Sequence, residues 1–105
     1  MKLLTDELRA RLPPLYSQEA EPDPVVYAKL VLHGTKLVLY VLEGEATEHA
    51  GYVVACLSVG SGDYSYCHFP EWVLDLLRGP NGEVVERDVS FREGRLTDVG
   101  PARDL

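Results

Sequence analysis

A chain of 105 residues with 46% hydrophobic and 26% charged side chains has the composition of one globular domain, expected to span residues 1–105. Seventeen acidic against ten basic residues leave a net charge of −7, which argues against a sequence-independent hold on nucleic acid or an anionic membrane, since both recruit positive charge. No apolar run approaches the roughly 20 residues that span a bilayer, and Asp6 and Glu7 come too early for a secretory signal, so a cytoplasmic location is expected.

Thr5 suits a helix N-cap, with Asp6 and Glu7 where the helix dipole favours negative charge. Leu4, Leu8, Leu12 and Leu15 recur at helical intervals and predict one leucine stripe, which Pro13-Pro14 ends. Residues 17–24 are polar and proline-containing, a surface connection.

Val25 to His33 and Lys36 to Glu43 are rich in β-branched and aromatic residues, with Gly34-Thr35 between them in the manner of a type II′ hairpin. The register this implies sets Leu32 against Leu37, Leu30 against Leu39 and Ala28 against Val41 on an apolar face. Tyr27, Lys29, Lys36 and Tyr40 then fall on the other, mixed face. Aromatic rings beside amines form a candidate binding surface there, for which a protein suits an acidic chain better than a nucleic acid.

Gly44 to Ala50 reads as an exposed acidic loop, Gly51 to Val59 as a third strand, and Asp63 to Phe69 as a fourth. A turn at Ser61-Gly62 places Cys56 directly opposite Cys67, within geometric reach of a cross-strand disulfide; free thiols are the default in a reducing cytosol.

Pro70 fits the first position of a helix running to about Arg78, and Gly79 its left-handed cap. Pro80-Asn81-Gly82 is a turn, and from Val84 to Phe91 the period is two: Val85, Arg87, Val89 and Phe91 face one way, Val84, Glu86, Asp88 and Ser90 the other. Leu96 and Val99 are placed to dock the tail, with residues 92–105 only partly ordered. The expected fold is α+β: a bent antiparallel sheet of about five strands, built as a meander of four, a helix and a fifth strand, with both helices on its apolar face.

Two further groups carry chemistry in principle. Glu86 and Asp88 lie about 7 Å apart on one strand face and would seat a divalent ion if Asp63, His68 or Asp75 supplied a third ligand; solvated carboxylates are the commoner outcome of that pattern. Arg87, among apolar neighbours, reads as half of a buried ion-pair clamp. The sequence holds no P-loop, dinucleotide fingerprint, nucleophile elbow or His-Glu-x-x-His, so no cofactor is expected.

Met1-Lys2-Leu3-Leu4-Thr5 through Arg11-Leu12-Pro13-Pro14-Leu15-Tyr16, followed by Arg78-Gly79-x-x-Gly82-x-x-x-Glu86-Arg87-Asp88-x-x-Phe91, resembles a small bacterial family described as domain of unknown function 2958. That resemblance implies a plasmid or mobile-element setting and no established activity. It makes Arg78, Gly79, Gly82, Glu86, Arg87 and Asp88 a structural motif. Two functions follow as expectations: a non-catalytic protein-binding or regulatory module, in one form an acidic inhibitor of a nucleic-acid-processing enzyme, or a small metal-dependent hydrolase of nucleic acid using Glu86 and Asp88.

Overall fold

The computed structural model describes residues 3–59 and 64–100. The fold is α+β, mostly strand. Helix α1 (Asp6–Arg11) is followed by β1 (Val25–Val26), β2 (Ala28–Leu32), β3 (Val38–Thr47), β4 (Gly51–Val59) and β5 (Tyr64–Pro70). A 3-10 helix (Glu71–Leu76), β6 (Val85–Arg87), β7 (Gly94–Arg95) and α2 (Leu96–Val99) complete the described chain. Strands β5-β4-β3-β2-β6 form one antiparallel sheet in that order, and β1 pairs with β7 in a second.

The predicted registers hold. Ala28 pairs with Val41, Leu30 with Leu39, and Cys56 with Cys67. The thiols of Cys56 and Cys67 are free, and the Cys67 Sγ lies 3.7 Å from the Cys56 carbonyl oxygen. The first hairpin turn differs from the expected form: the Thr35 N–H donates to the Leu32 carbonyl (3.2 Å), so Gly34, with φ 84°, takes the third place of the turn. The loop is thus two residues longer. Its parity is unchanged, and so the facing pairs survive. The expected Ser61-Gly62 turn lies outside the described residues.

One sheet face carries the main core. Leu30, Leu39, Val41, Val54 and Cys56 pack there with Leu4, Leu8 and Leu12 from the α1 region and Leu74 from the 3-10 helix. The helix forms where the leucine spacing places it, and the Thr5 hydroxyl accepts from the Leu8 N–H (3.2 Å). The second predicted helix is a single 3-10 segment with Pro70 as its cap, not an α-helix reaching Arg78. Gly79 is therefore no left-handed cap. It is glycine because a Cβ there would stand 2.7 Å from the His33 carbonyl oxygen. Gly82, with φ 87°, closes the turn that returns the chain to β6, and the Gly79 N–H donates to the Glu83 carbonyl (2.8 Å).

The fifth sheet strand is shorter than its alternating pattern. Asp88 Oδ1 accepts from the Ser90 N–H (3.0 Å) and hydroxyl (2.6 Å), and the Phe91 N–H bonds the Asp88 carbonyl (3.1 Å). This local turn outcompetes the ladder, as short polar side chains do. Val85 stays in the main core, whereas Phe91 crosses to the opposite face and meets Tyr40 at 6.2 Å between ring centroids. Val89 is left exposed.

The second face has its own smaller core of Val26, Tyr40 and Leu42, with Phe91, Leu96 and Val99 laid over it. The tail thus forms β7 and α2, and Leu96 and Val99 dock it as predicted, while residues 101–105, the last few expected to fray, lie outside the described residues. Asp23 holds α2 in place by accepting from the Thr97 N–H (2.9 Å) and hydroxyl (2.8 Å), and these bonds draw its carboxyl below the ordinary aspartate range. A depressed carboxyl adds stability above the unfolded-state value and loses it as pH falls through the folded one. The Thr97 amide signal is therefore expected to titrate with a midpoint below that of an ordinary aspartate, and to lose this titration in Asp23→Asn.

Candidate functional site

Strand β3 is a ten-residue run whose alternation breaks once. Val41 pairs with Cys56 and Glu43 with Ala55, so Leu42 is an extra residue, a β-bulge. Without it, Glu43 would follow Val41 onto the main core face. With it, both Leu42 and Glu43 turn to the second face, where Leu42 packs with Tyr40. Pairing then fixes the neighbours. Tyr40, Leu57 and Tyr66 form one cross-strand row, and Glu43, Ala55 and His68 form the next.

Glu43 is fully buried, and it is the one charged side chain so placed among the described residues. Its Oε1 accepts from the Tyr16 N–H (2.8 Å) and the Tyr66 hydroxyl (2.6 Å), and its Oε2 accepts from the Gln18 N–H (2.7 Å). Three donors converge on a group that can only accept, which is how a carboxylate is stabilised away from water. Gln18 finishes the anchoring: its Nε2 donates to the carbonyls of Val25 (3.0 Å) and Leu42 (3.1 Å), and its Oε1 accepts from the Val25 N–H (2.7 Å). The segment expected to be a mere connection is thereby pinned across the sheet.

Tyr16 sits in this segment with φ 69°, a left-handed conformation that a bulky side chain adopts only when its surroundings hold it there. Glu43 holds its N–H at one end, and His68 Nε2 lies 2.9 Å from its hydroxyl at the other. The Tyr16 and His68 rings meet edge to face at 5.3 Å, and Tyr66 and His68 at 5.9 Å. Burial, and then the bond to Glu43, push the Tyr66 hydroxyl well above the ordinary tyrosine value, so it stays a donor at neutral pH. Tyr66 is therefore a part-exposed hydrogen-bond donor to Glu43, not a proton acceptor.

These groups border a cleft of about 540 Å³ on the second face. Leu42, Leu57, Tyr66, His68, Pro22 and Glu19 line it. Its lining is mainly apolar, and among the described residues that line it are Glu19 and Glu21 but no lysine or arginine.

Compared with family models, curated proteins and solved structures, the chain matches none.

The residues singled out from sequence are placed elsewhere. Tyr40 is only 3% exposed and covered by Phe91, so it offers nothing to a partner. Tyr27 packs against the main core, because β1 leaves the sheet to pair with β7 and the alternation breaks between Val26 and Ala28. Lys29 faces Tyr40 in register and approaches Asp88 at 3.9 Å, while Lys36 stands exposed at the hairpin end. The expected Tyr27, Lys29, Lys36, Tyr40 surface is not assembled.

Glu86 lies 3.2 Å from His33, and Asp88 is engaged by Ser90 and Lys29. Among the described residues no three His, Cys, Asp or Glu side chains converge as a metal site would require. Arg87 forms no ion pair among the described residues; Arg9, Arg11 and Arg95 pair instead with Glu71, Glu93 and Glu21, and Arg9 also stacks 4.7 Å above the Tyr52 ring. The acidic loop is also shorter than expected: β3 continues to Thr47, leaving residues 48–50 between strands, with Glu48 and His49 almost fully exposed. No helix of the described residues is long and apolar enough to cross a membrane.

Proposed function

We propose that this chain is a non-catalytic, cytoplasmic protein-binding module whose partner docks in the cleft on the second face. The observation that carries the reading is the cleft itself: apolar side chains, tyrosine and histidine rings and two acids line it, and a buried carboxylate holds Tyr16 and Tyr66. Interfaces are enriched in such rings because they offer large contact area with a polar edge at small entropic cost. The acidic rim and the net charge of −7 favour a basic partner surface. An inhibitor that occupies the basic groove of a nucleic-acid-processing enzyme is one form of this function. The resemblance of the chain's two ends to domain of unknown function 2958 is what supports a mobile-element setting, with a partner in replication, transfer or host defence.

Affinity capture from the native host with the tagged full chain tests the reading. The same protein should be recovered repeatedly with the wild type and fall about tenfold with Glu19→Arg on the cleft rim, while Lys36→Glu at the far hairpin end leaves recovery unchanged. Recovery that ignores Glu19→Arg overturns the reading. So does metal-dependent cleavage of DNA or RNA by the purified chain with no protein captured.

A further inference from the structure

The sheet ends at β5, and seven residues make this its long edge, against three for β6 at the other side. Long edges are normally covered, charged or kinked, because their unpaired N–H and C=O groups invite another strand. Among the described residues, those at 65–69 make no backbone hydrogen bond other than to β4. Their side chains include no lysine, arginine or carboxylate to repel an incoming strand. Pro70 blunts one end alone.

The face that such a strand would share is already built. Tyr66 and His68 project from β5 to the cleft side, since Leu57 and Ala55 are their partners on β4. Glu19 lines the same cleft as Tyr66. A side chain on an added strand, directly across from Tyr66, would lie about 5 Å from it. A cation there would meet both the part-exposed tyrosine ring and the Glu19 carboxylate.

We propose that an extended segment of the partner pairs with the outer edge of β5 as a sixth strand, and sets a lysine or arginine beside Tyr66 and Glu19. This rests on the cleft reading above and specifies how the partner is held: backbone bonds supply the grip, and alternate side chains reach over the cleft rim. The occupant is a basic, alternating peptide segment and not a second copy of this chain, whose own net charge of −7 would oppose a like edge.

A random peptide library selected against the full chain tests it. Recovered peptides should carry Lys or Arg at alternate positions, bind about tenfold more weakly once those are changed to Glu, and slow the exchange of every second amide within residues 65–69. Glu19→Lys should reverse the charge preference while leaving the far-ultraviolet spectrum of the chain unaltered. Peptides that shift Leu42, Leu57 and Leu96 but leave the β5 amides exchanging freely would overturn strand addition and keep the cleft reading. Recovery of acidic peptides, or of none, overturns the inference, and the cleft reading is then judged separately by the Glu19→Arg capture.

Discussion

Glu43→Ala is expected to lower the melting temperature by about 15 °C or more, the largest effect of any single polar substitution in this chain. The carboxylate, itself fully buried, accepts from the Tyr16 N–H, the Gln18 N–H and the Tyr66 hydroxyl. Truncation leaves each of these donors without its acceptor and opens a void, a loss of about 3–5 kcal/mol out of a domain stability of roughly 5–15 kcal/mol. Glu43→Gln separates shape from charge. The amide keeps one acceptor oxygen but turns an NH2 toward a donor, so a smaller loss of about 1–3 kcal/mol is expected. Tyr66→Phe, costly in the wild type, should cost distinctly less in the Glu43→Ala background, because the bond it removes is already gone. Thermal denaturation of the four proteins in this cycle supplies the coupling.

Leu30→Ala is expected to cost about 2–5 kcal/mol, of the same order but by a different route. Leu30 lies on β2 between β3 and β6, is wholly buried, and faces the leucines of the α1 region and Leu74 of the 3-10 helix. The cavity left at the junction of three strands and two helices has no side chain free to fill it, since close-packed interiors relax only in part. Urea denaturation should show a lower midpoint with an unchanged slope, because the surface exposed on unfolding is nearly the same. The two losses should add, as Leu30 and Glu43 belong to separate cores on opposite faces of the sheet.

The main face was legible because two kinds of periodicity agree on it. Leucine spacing brings Leu4, Leu8 and Leu12 into the main core, although α1 itself is only Asp6–Arg11 and Leu15, the fourth leucine of the predicted stripe, stays outside that core, and hairpin parity places Leu30 against Leu39 and Cys56 against Cys67. The second face was not, and the reason is local. One extra residue at Leu42 rotates everything after it by a full side-chain step, and nothing in a run of apolar residues marks which of them is the extra one. Glu43 therefore looked like the polar end of a strand when it is the centre of a hydrogen-bond cluster. Alternation grouped Phe91 with Val85, Arg87 and Val89 and did not relate it to Tyr40. The turn at Asp88 breaks that alternation and carries Phe91 to the opposite face from Val85, against Tyr40.

Glu43 draws the segment around Tyr16 and Gln18 across the sheet to border the cleft, and amide hydrogen exchange reads that directly. The N–H groups of Tyr16 and Gln18 should be protected in the wild type to nearly the level of the β3 and β4 core amides. Both should be released together in Glu43→Ala under conditions where Leu30 and Val54 remain protected. Free exchange of Tyr16 and Gln18 in the wild type would contradict it.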